Sequence, residues 1–237
     1  FPEDGESMQL SKRLEAVTKL AGTCRCVADV GTDHGYIPIY MVQEQQAECA
    51  IAMDVNKGPL ERAQKNILAY RMEDRIQTRL SDGVAALKSK EADCVIIAGM
   101  GGLLTIRILE AGKEVLKNVN TMVLQPQSEI GQVRTWLSEN HYRITAENMV
   151  LDEGKYYPMM RVEHGAQEKW NEQEYAFGKY LIAAGNPVLQ EFLEKEEKLC
   201  GEILSSLEGK SGEHIERRRA EVQEKKEKIR LAKEQMR

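Results

Sequence analysis

The chain has 237 residues, 42% of them hydrophobic and 30% charged, with 33 basic residues against 38 acidic ones. That suffices for one substantial core, or a core with an appendage, and the net charge of −5 gives no global nucleic-acid signature, so any basic surface must be local. No stretch approaches the roughly 20 apolar residues of a membrane-spanning helix, and no basic-plus-apolar leader is present; the five cysteines (Cys24, Cys26, Cys49, Cys94, Cys200) argue by odd number and apolar context for a reducing, cytoplasmic setting.

Phe1 to Ser7 lacks periodicity and is set apart as extraneous or disordered; Met8 is expected to open a helix with Leu10, Leu14, Val17 and Ala21 on its apolar face. Short runs follow that are apolar nearly throughout, CVADV (26–30), CAIAM (49–53), CVIIA (94–98) and TMVLQ (121–125), with RIQTRL (75–80) weaker. Strands buried on both faces of a parallel sheet read this way. Between them helical spacing recurs at Leu60, Ala63, Ile67 and Tyr70, and at Ile130, Val133 and Leu137, so the units are βαβ. Two extended runs, 142–151 and 155–163, joined by a three-residue turn at Asp152-Glu153-Gly154, predict a closing antiparallel hairpin. The expected fold is α/β: a Rossmann-like, seven-stranded variant of the doubly wound sheet over residues 8–165, followed by a helical domain over 166–237.

In that second domain one helix is expected over 172–185. Leu189, Leu193, Cys200, Ile203 and Leu207 make one stripe, and Ile215, Val222, Ile229 and Met236 recur every seven residues in another. With Gly209-Lys210-Ser211-Gly212 between them, they read as an antiparallel coiled-coil hairpin. The stripes serve an intramolecular hairpin or a dimer; a monomer is the expectation.

The strongest local motif, Asp29-Val30-Gly31-Thr32-Asp33-His34-Gly35-Tyr36, falls where the first strand ends, and open α/β sheets bind ligands at such ends. Asp29 suits a cationic amine. The dinucleotide fingerprint requires a second glycine where Asp33 stands, and that carboxylate repels a pyrophosphate. A ligand with an amino-acid tail and no phosphate, S-adenosylmethionine, fits better. Asp54, with Val55 after it, closes the second strand about 20 residues on, where an acid accepts ribose hydroxyls; the alternative is a cap for the helix opening at Pro59. Asp82 and Gly83 follow the third strand and reach adenine or simply form a turn. Gly99-Met100-Gly101-Gly102 places three glycines after the fourth, where backbone lies against a ligand or adopts special dihedrals.

Residues 29–36, AGMGG at 98–102, LQP at 124–126 and DEGKYY at 152–157, together with the order of sheet domain and helical hairpin, resemble the bacterial tRNA methyltransferase family that modifies N1 of adenine 22. The resemblance implies that Asp29, Gly31, Thr32, Asp33, His34, Gly35 and Tyr36 surround the methionine moiety. It implies further that Asp54 takes the ribose, that Asp82 and Gly83 take the adenine, and that Gly99 and Met100 line the space between cofactor and target base. Gln127 stands where many relatives have Asn. Adenine N1 carries an in-plane lone pair and needs no general base, so His34 is read as a packing or capping residue. The enzyme mainly positions and shields. The target must leave its pair to be reached, and Tyr36, Gln125 and Pro126 are the expected contacts for it.

Arg217, Arg218, Arg219, Lys225, Lys226 and Lys228 head a basic run in the last helix, facing either tRNA phosphates or the acidic partner helix (Glu191, Glu194, Glu196, Glu197, Glu202). No metal and no membrane partner is expected. The alternatives are a non-enzymatic nucleotide-holding protein that recruits a partner through its coiled coil, an RNA methyltransferase acting on another nucleotide, and a nicotinamide oxidoreductase, which Asp33 and the terminal hairpin disfavour.

Overall fold

The structure, a computed structural model, describes residues 7–236 and divides into two compact units, with the boundary between Glu168 and Lys169. The expectation for residues 1–6 lies outside the described residues; Ser7 donates its hydroxyl to Glu44 Oε1 at 2.9 Å.

In the first unit the elements alternate: α1 (Lys12–Ala21), β1 (Cys24–Val30), α2 (Tyr36–Gln43), β2 (Ala47–Asp54), α3 (Lys57–Ala69), β3 (Ile76–Leu80) and β4 (Cys94–Met100). Then come α4 (Gly102–Ala111), α5 (Lys113–Leu116), β5 (Thr121–Pro126), α6 (Ile130–Glu139), β6 (Tyr142–Asp152) and β7 (Lys155–His164). The sheet has seven strands in the order β3-β2-β1-β4-β5-β7-β6; neighbours from β3 to β5 are parallel, and β7 runs antiparallel to both β5 and β6. Strand order reverses between β1 and β4, and a crevice forms outside the carboxyl ends at such a switch point.

Both faces of the central strands are buried: Val27, Ala28, Ile96, Ile97, Val123 and Leu124 are inaccessible to solvent. One face packs on Val17 and Ala21 of α1, Ile37 and Ile39 of α2 and Ile67 of α3. Between α6 and β6 lies a buried ion pair, Arg134 Nε donating to Glu147 Oε1 at 2.9 Å with both side chains at most 1% exposed.

Three local expectations are corrected. The first helix opens at Lys12, not Met8, because Ser11 caps it by accepting the Leu14 N–H. The hairpin turn is one residue shorter than expected: Asp152 pairs with Lys155, leaving Glu153 and Gly154 at φ 48° and 77°, the two positive values of a tight primed turn. And α3 opens two residues before Pro59 with Asn56 at its cap position.

The second unit contains α7 (Glu172–Phe177), α8 (Lys179–Ala183), α9 (Pro187–Ser206) and α10 (Glu213–Gln235). The single helix expected over 172–185 is two, because Gly178 at φ 101° leaves helical geometry between them. A capping box of Asn171 and Glu174 starts α7. Buried Trp170 packs against Tyr175 and Tyr180 at centroid distances of 5.7 and 6.1 Å. In the hairpin of α9 and α10 most of the expected stripes are buried, Leu189, Leu193 and Cys200 on α9, Leu207 just after it, and Val222 and Ile229 on α10, while Ile203, Ile215 and Met236 are half-buried.

Candidate functional site

A cavity of about 330 Å³ opens at the carboxyl end of β1, lined by Asp29, Gly31, Asp33, His34, Tyr36 and Ile37 from the β1–α2 turn, by Ala98 of β4, and by Gln9, Ser11, Arg13 and Leu14 around the start of α1. The turn is held from outside the cavity. Gly31 and Thr32 both donate N–H to Met53 O at 2.8 Å, and Asn66 Nδ2 of α3 donates to His34 O at 2.8 Å. Arg62 donates Nε and Nη2 to Asp33 Oδ1 at 3.1 and 2.9 Å. Gly35, at φ 68°, lies so close to α3 that an added Cβ would stand 3.2 Å from the Cβ of Ala63. Met100 lies over Gly31, its methyl 2.2 Å from where a Cβ would be; that methyl can move aside, and it is the backbone at φ 76° that favours glycine there.

Asp29 is the electrostatic centre. Its carboxyl is buried, and burial pushes its pKa up to about 6; the neighbouring Asp54 charge pushes the same way, while Thr32 and the Arg13 charge pull it down. The Thr32 hydroxyl is not aligned as a hydrogen bond with it: Thr32 Oγ1 is buried with no partner among the described residues. An acid kept out of water beside an unpaired hydroxyl is a poor structural choice. A cationic amine would satisfy both.

Arg13 was missed by sequence reasoning. Its backbone N–H donates to Asp152 Oδ2 at 2.9 Å, its Nη1 donates to Gln125 Oε1 at 3.0 Å, and its guanidinium lies over the Tyr157 ring at 5.4 Å. The DEGKYY segment therefore holds α1 and its arginine against the pocket. The signal available in sequence was Ser11 as a cap, which places the first helical turn at Arg13.

The other expected residues are distributed around the same edge. Asp54 accepts the Asn56 N–H through Oδ1 at 2.7 Å, which leaves its second oxygen for a ligand, and Val55 is exposed beside it. Asp82 lines a smaller cavity of about 200 Å³ with Val84, Ala85, Arg107, Ile108, Ala111 and Gly112. Gly83, at φ 57°, lies under Ile108, where a Cβ would stand 2.9 Å from Cγ2, so packing explains that glycine. Gly99 and Met100 belong to β4, not to a loop, with a register shift between Ala98 and Met100. Gly102 is demanded by the chain opposite, since a Cβ would fall 2.3 Å from Ser128 O.

For the target-base residues the outcome is mixed. Tyr36 stands at the cavity mouth with its ring stacked on His34 at 5.1 Å and 13°. Gln125 is completely buried and its carbonyl oxygen is committed to Arg13 and to the Gly99 N–H at 3.2 Å, so it supports the wall without facing the cavity. Pro126 is buried behind it. Gln127 is exposed and its amide lies over Gly99.

On α10 the expected RNA contacts are mostly paired. Arg217 meets Glu213, Arg218 meets Glu221, Arg219 meets Glu216, and Lys228 meets Glu224. Lys225 and Lys233 reach Glu196 and Glu197 of α9, while Lys226 is exposed.

Residues 27–234 match the tRNA (adenine(22)-N(1))-methyltransferase family, TrmK. The chain belongs to that family. Over 189 residues it is 34% identical to the tRNA (adenine(22)-N(1))-methyltransferase of Bacillus subtilis, covering 80% of this chain and 76% of that protein. Two solved structures are similar throughout: Streptococcus pneumoniae Sp1610 in complex with S-adenosyl-L-methionine (TM-score 0.83, 34% identity, 94% and 99% of the two chains) and M. capricolum TrmK with S-adenosyl-homocysteine (TM-score 0.84, 29% identity, 96% and 99%). Family membership makes the protein a tRNA (adenine-N1)-methyltransferase, which removes the oxidoreductase and the non-enzymatic alternatives. Among the described residues no helix is long and apolar enough to cross a membrane, and no cluster of His, Cys, Asp and Glu could hold a metal ion.

Proposed function

We propose that the protein binds S-adenosylmethionine in the crevice at the end of β1 and methylates N1 of adenine 22 in tRNA, and that the paired features of Asp29 and Thr32 carry this reading. The cofactor, when bound, supplies an electrophilic methyl on a sulfonium. The residues present fit it: a buried carboxylate and an orphaned hydroxyl for the amine, Arg13 across the cavity for the carboxylate, the free oxygen of Asp54 for the ribose, and Asp82 at the smaller cavity for the adenine. Asp33, joined to Arg62, keeps the turn in shape and leaves no place for a diphosphate.

Attack by a ring-nitrogen lone pair requires alignment and exclusion of water more than proton transfer. Tyr36 offers its ring as the stacking surface for the turned-out adenine, with Gly99 letting the base approach under Gln127. Gln125 positions Arg13 and Gly99. No residue need act as a base, and His34 serves as the plate behind Tyr36. The basic residues of α10, from Arg217 to Lys228, bind tRNA phosphates by exchanging their surface carboxylate partners. Such exposed pairs are worth only about 0–1 kcal/mol and yield readily. Most of the stripe residues of α9 and α10 are buried within one chain, which supports a monomer.

The test is methyl transfer from labelled S-adenosylmethionine to unmodified tRNA, followed by mapping of methylated nucleosides. A single 1-methyladenosine at position 22, lost when that adenine is replaced by guanine, is the expected result. Methylation elsewhere would overturn the assignment of the nucleotide, and absence of cofactor binding by calorimetry would overturn the site.

A further inference from the structure

Eight large apolar side chains stay exposed among the described residues, and five of them, Tyr36, Val55, Leu80, Leu103 and Leu104, stand at or just beyond the carboxyl ends of β1 to β4. Exposed apolar residues scattered singly need no explanation, but a concentration on one edge marks a surface that receives something. Val55 and Leu80 adjoin Asp54 and Ser81-Asp82, and Tyr36 belongs to the cavity, so the cofactor and the target base account for these three. Leu103 and Leu104 line neither cavity. They occupy the first turn of α4, and Leu103 is the more exposed of the two, at 59%. Their position is fixed: Met100 touches Gly31 at the cavity, and α4 starts two residues later with Gly102 pressed on Ser128 and its N–H donated to Ser128 Oγ at 3.2 Å.

The physical need is on the other side of the reaction. Taking a base out of a helical stack leaves a gap, and re-entry competes with methylation unless the gap is filled. Proteins that unstack nucleic acids do so with rigidly mounted leucine, isoleucine, methionine or phenylalanine wedges.

We infer that Leu103, supported by Leu104, is the wedge that fills the space vacated in the tRNA by the target adenine, and so is a positioning residue for the methyl transfer. The inference rests on the tRNA reading above. Its occupant is the pair of bases flanking the target. An apolar side chain suits it because stacked bases present a face that needs no hydrogen bond.

The test uses the full chain and a tRNA carrying 2-aminopurine beside the target adenine, with S-adenosylhomocysteine present, since a probe in the target position would stack on Tyr36 and stay dark. The unaltered protein should raise the fluorescence as the target leaves the stack and a non-quenching apolar side chain takes its place. Leu103→Ala should lose most of that rise and lower kcat on ordinary tRNA about tenfold or more, the size of a lost stacking contact. Its Kd for cofactor should stay the same, and Leu103→Met should restore both signals. Full fluorescence and turnover in Leu103→Ala would overturn the proposal. So would equal losses in cofactor and tRNA affinity, or a change in oligomeric state on gel filtration with base release intact, which would assign the leucines to a second copy of the chain. If the unaltered protein released no base and methylated no tRNA, the wedge would fall together with the reading beneath it, whereas methylation by the unaltered protein with an unaffected variant removes the wedge alone.

Discussion

The carboxyl edge of the sheet and the surface of the helical hairpin both carry many charges, yet they use them differently. At the sheet edge the charges that line the cavity wall are held at fixed geometry: Arg13 is bonded to Gln125 and laid on Tyr157, and Asp29 is enclosed. Along α10 Arg217, Arg218 and Arg230 meet acids three or four residues away on their own helix, with both partners largely in water. A charge out of water changes the chemistry of its surroundings, because neither solvent nor salt screens it. A charge in water can trade one partner for another at little cost. The first arrangement suits a small ligand of fixed shape, the second a polyanion whose phosphates need only a field.

The sharpest way to break this contrast is to remove one partner of a buried pair. Arg134→Ala strands Glu147 in the core and should cost about 3–5 kcal/mol, read from urea unfolding; a loss below about 1 kcal/mol would show that the pair behaves like a surface one.

Asp29→Asn comes next, and it has two opposite signs. At pH 8 it should weaken S-adenosylmethionine binding about hundredfold by calorimetry, because a buried charge partner is lost. The same change should raise stability at neutral pH by about 3 kcal/mol, since the folded protein no longer has to ionise an enclosed acid. The pH dependence follows from the raised pKa. Between the ordinary carboxyl value of 3.8 and about 6 the folded state holds the proton more tightly than the unfolded one, so this group's contribution is best at low pH and is lost as pH rises through about 6. Cofactor affinity runs the other way and should fall as pH drops below about 6. Asp29→Asn should flatten both profiles. A variant that kept the acid limb of the binding curve would move the titration to another group.

On the hairpin, joint charge reversal at Arg218 and Lys225 should weaken tRNA binding and reduce its salt slope by about 2, one for each phosphate contact, leaving cofactor affinity as it was. Unchanged slopes would take the hairpin out of RNA binding. Smallest is the effect of Lys225→Ala on folding, under about 1 kcal/mol in thermal unfolding.

Much of the architecture was legible because burial on both faces leaves runs such as CVADV and CVIIA that resist any other reading, and because Asp29, Gly31 and Gly35 sit where strand order reverses. What escaped was non-local. Nothing in the sequence near Arg13 announces that Asp152, Gln125 and Tyr157 converge on it. Nor does the sequence around Gln125 reveal that its amide is spent on Arg13 and Gly99. The expectation that Gln125 faces the target base failed for that reason: alternation along β5 gives the face but not which partners occupy it. Gly83 and Gly102 were legible as special positions but not as packing positions, since the atoms that crowd them, on Ile108 and Ser128, lie 25 and 26 residues away in the chain.

The bond from the Arg13 amide to Asp152 spans 139 residues, and one wall of the cavity depends on it. A nascent chain emerging from the ribosome can pair β1, β2 and β4 long before Asp152 exists, so the turn at Asp29 forms early while α1 waits for a hairpin made near the end of the first unit. The pocket is thereby left open-sided during synthesis, and a truncated product ending before residue 152 would display the turn with no arginine to close it.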